Sequence, residues 1–148
     1  MNMCRESKRY TMKYSKTIFG LGAFTAVATS LYWILYFIGV MPVDEIVPGY
    51  ITWFESFPIA DLWIVVTSAL LAFAMKTKRD NMAVVCGLLT ASGMIFLALN
   101  ELGFSINTGM ILMPLSVTGF DFALKIYCLF VGTFFIKQFS CYIKETCK

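Results

Sequence analysis

The chain has 148 residues, enough for one domain, and 59% of them are hydrophobic against 14% charged. A soluble domain is closer to a quarter charged, and a chain this short has too much surface for its volume to hide so much apolar matter from water. The net charge of +3 comes without a basic run interleaved with aromatics, which argues against a nucleic-acid partner, and the lack of histidine removes the usual zinc and haem ligand sets.

The mean hydropathy of +0.75 makes the bilayer the natural solvent. A membrane-spanning helix needs about 20 apolar residues, and four segments meet that need. The first covers residues 17–41. It runs too long for a signal-peptide core and is read as a retained helix. It ends at Pro42, after which Asp44, Glu45, Pro48 and Gly49 cannot continue a buried helix. The outer loop that follows carries Tyr50, Trp53, Phe54 and Phe57. Trp53, Phe57 and the nearby Trp63 are the expected interface anchors, because aromatic rings favour the headgroup level.

The second helix covers 58–75, with Pro58 in the first turn, where its missing N–H costs nothing. It stops at the polar turn Lys76-Thr77-Lys78-Arg79-Asp80, so the second and third helices should be antiparallel neighbours. The third helix covers 82–104. Pro114 and Gly119 interrupt the apolar residues that resume at Met110, so the fourth helix is placed at 119–139 and residues 110–117 are read as an extra turn or an interfacial segment. The expected fold is all-α: a polytopic four-transmembrane-helix bundle at 17–139, preceded by a basic segment at 1–16 and followed by a tail at 140–148.

Topology follows from the lysines and arginines. Arg5, Lys8, Arg9, Lys13 and Lys16 precede the first helix, Lys76, Lys78 and Arg79 join the second and third, and Lys137, Lys144 and Lys148 close the chain. These groups must share a side, and the positive-inside rule makes it the cytoplasm, with both termini there and the plasma membrane as the expected location. The five cysteines, Cys4, Cys86, Cys128, Cys141 and Cys147, form no Cys-x-x-Cys pair. Cys141 and Cys147 fall on the reducing side, so paired-thiol chemistry is not expected. No metal or cofactor is expected either.

A charge inside hydrocarbon costs roughly 2.5–3.5 kcal/mol on insertion scales, so each one needs a reason. Asp61, Asn100, Glu101 and Asp121 fall about one turn below the outer boundary, and Lys125 lies one turn deeper, roughly 10 Å in. Helical spacing also gives each span a small or polar stripe: Gly22, Ala26, Thr29 and Trp33; Asp61, Ser68 and Ala72; Cys86, Thr90, Gly93 and Asn100; Asp121, Lys125, Cys128 and Gly132. Membrane helices pack through such residues, so the four stripes should converge.

Two stretches, Phe57-Pro58-Ile59-Ala60-Asp61-Leu62-Trp63 and Phe96-Leu97-Ala98-Leu99-Asn100-Glu101 with Gly109 after it, together resemble small uncharacterised four-span membrane proteins of prokaryotes. That resemblance implies the span count and draws attention to Asp61 and Asn100. It implies no activity.

Asp121 followed by Lys125 is the favourable acid-first i,i+4 order, and local neutralisation alone would explain the pair. Four ionisable groups from three helices exceed what one paired lysine requires. The leading expectation is therefore an outer-leaflet pocket with Lys125 as its floor and Asp61, Glu101 and Asp121 as its wall, with Asn100 beside them. It would bind a lipid-like or small cationic ligand or pass an ion. The alternatives are an intramembrane enzyme using Lys125 and a carboxylate as acid and base, and a structural or accessory subunit. Membrane lipids, an amphiphilic or cationic ligand and a second copy of the chain are the expected partners.

Overall fold

The computed structural model describes residues 15–146 and is helical throughout its ordered elements. Arg5, Lys8, Arg9, Lys13 and Lys148, with Cys4 and Cys147, lie outside the described residues. The helices are α1 (Ser15–Phe37), a short α2 (Tyr50–Phe54), α3 (Pro58–Thr77), α4 (Asp80–Asn107) and α5 (Leu115–Thr146), with a 3-10 turn at Met110–Leu112 before α5. Four segments are long and apolar enough to cross a membrane, which is compatible with an integral membrane protein. Many large apolar side chains point outward, among them Val27, Phe37, Phe96 and Phe130.

The helix ends follow from local chemistry. Pro58 occupies the first turn of α3. Lys78, at φ 56°, terminates α3 in the left-handed region, and the backbone N–H of Arg79 returns to the Ala74 carbonyl at 2.9 Å. This two-residue link makes α3 and α4 antiparallel neighbours, as the polar turn predicts. Asp80 in the first turn of α4 suits the positive end of the helix dipole.

The first and last helices differ most from the sequence expectation. The helix placed at 119–139 begins at Leu115, directly after Pro114, and continues through Thr146. Proline is well suited to precede a helix, and Gly119 sits inside α5 without interrupting it. The first helix ends at Phe37 rather than Met41, because the chain turns over Gly39 at φ 75°.

Along the bundle, α1 packs on α3, α3 on α4 and α4 on α5. Small residues set these approaches. A side chain added at Gly22 would touch Leu71 and the Ser68 carbonyl of α3. One added at Gly132 of α5 would lie 2.7 Å from Ile95 and 3.0 Å from the Ala91 carbonyl of α4. The Phe139 ring lies directly against Gly87. Thr67 and Thr90 meet at 3.0 Å between α3 and α4, inside the bundle. Phe135, Phe139, Ile18 and Leu71 are fully buried in the core.

The antiparallel order gathers Lys16, Lys76, Lys78, Arg79, Lys137 and Lys144 at one end of the bundle. Tyr142 donates to Asp80 at 3.2 Å there, joining the end of α5 to the start of α4. Asp44, Glu45, Glu55, Asp61, Glu101 and Asp121 fall toward the other end.

Candidate ligand-binding site

At the acidic end, α1 and α5 meet through side chains and enclose a cavity of about 550 Å³ between them. The volume falls within the ~300–1,000 Å³ usual for small-molecule sites. Tyr127 of α5 reaches Thr25 of α1 at 2.8 Å. Thr25 already donates its one hydroxyl proton to the Leu21 carbonyl, so Tyr127 is the donor in this contact.

The cavity roof is aromatic. In α2, Tyr50 is buried, and Phe54 packs edge-on against Tyr32 and at a tilt on Trp33, both from α1. Trp53 stacks on Phe104 of α4 with ring centroids 4.0 Å apart. Tyr36 donates to Glu55 at 2.9 Å and ties the end of α1 to the end of α2. Glu45 accepts the backbone N–H groups of Gly49 and Ile51, fixing the start of α2. Trp53 and Phe57 both border the cavity, with Phe57 buried and Trp53 half-buried. Burying their rings among other rings gains more contact area than a loop laid flat would. Trp63, at 53% exposure, does face outward.

Three carboxylates reach the cavity: Asp61 from the first turn of α3, Glu101 from α4 and Asp121 from α5. Asp61 accepts the indole N–H of Trp33 at 2.8 Å. Asp121 forms an ion pair with Lys125 one turn along the same helix. Glu101 makes no hydrogen bond or ion pair among the described residues.

Two of the expected site residues stand apart. Asn100 is exposed on the outer face of α4 and does not line the cavity. Successive helical residues are about 100° apart, so a helix that turns Glu101 inward with Leu97 turns Asn100 away. Lys125 is buried but is not the cavity floor. Its ammonium holds Asp121, donates to Ser105 at 2.8 Å and lies over the Phe122 ring. Lys125 sits about three turns into α5, whereas Ser105 is close to the end of α4. The long side chain therefore runs back toward the helix ends, as snorkelling lysines do.

Tyr32, Tyr127 and Phe120 line the cavity without having stood out in the sequence. Thr25, Thr29 and Tyr32, at helical spacing on α1, were the available signal for one wall. Cys128 also lines the cavity. Among the described residues, no three His, Cys, Asp or Glu side chains converge as a metal-ligand set. The chain matches no protein-family model, no curated protein and no solved structure.

Proposed function

We propose that this chain is a polytopic membrane protein of the cell membrane, with both termini cytoplasmic, whose outer-leaflet pocket binds an amphiphile bearing a cationic head. The observation that carries the reading is the contrast between Glu101 and its neighbours. Asp61 has an indole donor and Asp121 has a lysine, while Glu101 has neither an ion-pair nor a hydrogen-bond partner among the described residues. An anion in an apolar aromatic cavity is costly, and a cationic ligand supplies the missing counter-charge. The rings of Tyr32, Trp33 and Phe54 around the same space offer π faces to that head group.

An acid–base enzyme using Lys125 fits less well, because that ammonium is committed to Asp121 and Ser105. A purely structural subunit fits less well too. The small residues Gly22, Gly87 and Gly132 are occupied by contacts within this chain.

The test is equilibrium binding of N,N-dimethyldodecylamine to the protein in lipid nanodiscs. Glu101→Gln should weaken binding about tenfold or more, equivalent to ~1.4 kcal/mol, while Asn100→Ala should leave it unchanged. Undiminished binding by Glu101→Gln would defeat the reading.

A further inference from the structure

The walls of the cavity are not equally closed. Its roof is formed by α2 and Phe57 after it: Tyr50 and Phe57 are each 7% exposed, Trp53 is stacked on Phe104, and the Tyr36–Glu55 hydrogen bond fastens the end of α2 to α1, with Met41, 38% exposed, also bordering the cavity. On three sides, the α1–α3, α3–α4 and α4–α5 contacts are close-packed through backbone and small residues. The α1–α5 side has no comparable packing. There the lining is shared with the outer surface of the bundle. Phe24 and Leu31 of α1 and Phe120 and Leu124 of α5 border the cavity and are also exposed to the surroundings, Phe24 to 58% and Phe120 to 60%. Below this gap, the Tyr127–Thr25 hydrogen bond, with Phe24 edge-on to the Tyr127 ring, joins the two helices.

From this asymmetry we infer that the ligand is a single-chain amphiphilic amine dissolved in the outer leaflet, which reaches Glu101 sideways from the bilayer between α1 and α5. The inference rests on the amine-binding reading above and adds the route and the chain. In a membrane, the exposed side of the gap faces acyl tails, so a ligand arriving there keeps its alkyl chain in hydrocarbon throughout. Its head passes from the headgroup level to the carboxylates. A water-borne ion or short amine would instead have to open the aromatic roof. The required ligand therefore has an ammonium head and one alkyl chain, with the chain left lying across Phe24, Leu31, Phe120 and Leu124 when the head is bound.

The experiment follows association and dissociation of N,N-dimethyldodecylamine in nanodiscs, with N,N-dimethylethylamine as the short-chain comparison bearing the same head group. Leu31→Trp and Leu124→Trp narrow the gap, and Phe24→Ala with Phe120→Ala widens it. Tyr36→Phe unfastens the roof. The expected result is that the narrowing variants slow association about tenfold and the widening variant speeds association and dissociation together, since routes alter rates more than equilibria. Tyr36→Phe should leave both rates unchanged, and the short amine should bind at least about tenfold more weakly. Rates that respond to Tyr36→Phe and ignore both kinds of gap variant would overturn the lateral route while leaving the amine pocket standing. Equal binding of the short amine would overturn the alkyl-chain requirement. Failure of wild type to bind either amine, or binding indifferent to Glu101→Gln, would remove the underlying pocket reading and this inference with it.

Discussion

Lys125 is 4% exposed; its charge is balanced within its own helix by Asp121, and its ammonium also donates a hydrogen bond across to Ser105 of α4. Removing one member of a buried pair leaves the other uncompensated, which costs on the order of 3–5 kcal/mol. Lys125→Met should therefore destabilise the bundle by about that much, and adding Asp121→Asn should recover most of the loss. Thermal unfolding in detergent micelles measures both. A double variant no more stable than Lys125→Met would contradict this account of the pair. The Asp121–Lys125 pairing was legible in the sequence because it is local, one helical turn apart. Ser105 was not, because only tertiary packing of α4 against α5 brings it to the ammonium. The choice between Asn100 and Glu101 was likewise open until the rotation of α4 was known. Adjacent residues on a helix face different ways, and the stripe drawn through Thr90 and Gly93 drifts off the inner face by the time it reaches Asn100.

Helix packing turns on where a Cβ has room. Gly132 of α5 has none: an added methyl would lie 2.7 Å from Ile95 and 3.0 Å from a carbonyl of α4. Gly132→Ala should destabilise by about 1–3 kcal/mol, the usual cost of overpacking. Gly119, in the same helix, has nothing within 4 Å of such a Cβ. Gly119→Ala should stabilise by roughly 0.5–1 kcal/mol through helix propensity alone. Unfolding midpoints for the two variants should move in opposite directions, and movement in the same direction would disprove the packing assignment. The four long helices were readable from hydropathy, and the α3–α4 turn from its charges. The sequence places the start of α5 four residues late because Pro114 and Gly119 both read as interruptions there. Proline before a first turn favours a helix, and one glycine within it is tolerated. The inward fold of α2 left no periodic signal, since five residues are too few to show one, and its rings are equally suited to an interface or a roof.

For the whole molecule, the separation of charge between the two ends is the main determinant of orientation. Lys16, Lys76, Lys78, Arg79, Lys137 and Lys144 share one end of the bundle, and the cavity lies toward the other. If the basic end is cytoplasmic, Cys141, which is exposed on α5, should react with a membrane-impermeant maleimide only in inside-out vesicles. A cysteine placed at Leu112, 88% exposed in the 3-10 turn, should react only in intact cells. Each is tested in a variant lacking the other cysteines, and the reverse pattern would invert the topology. With the basic end cytoplasmic, the cavity would take an outer-leaflet address, and the gap between α1 and α5 would be its side toward the acyl chains.

The central claim, that the carboxylates of this cavity hold the cationic head of an amphiphile, is tested most directly by mass spectrometry of what co-purifies with the gently solubilised protein. Wild type is compared with Asp61→Asn/Glu101→Gln under identical extraction. The account predicts a specific single-chain amine or ammonium amphiphile that accompanies wild type and is lost from the variant while the helical content of both stays the same. The same co-purifying molecules in equal amounts from both proteins would contradict it.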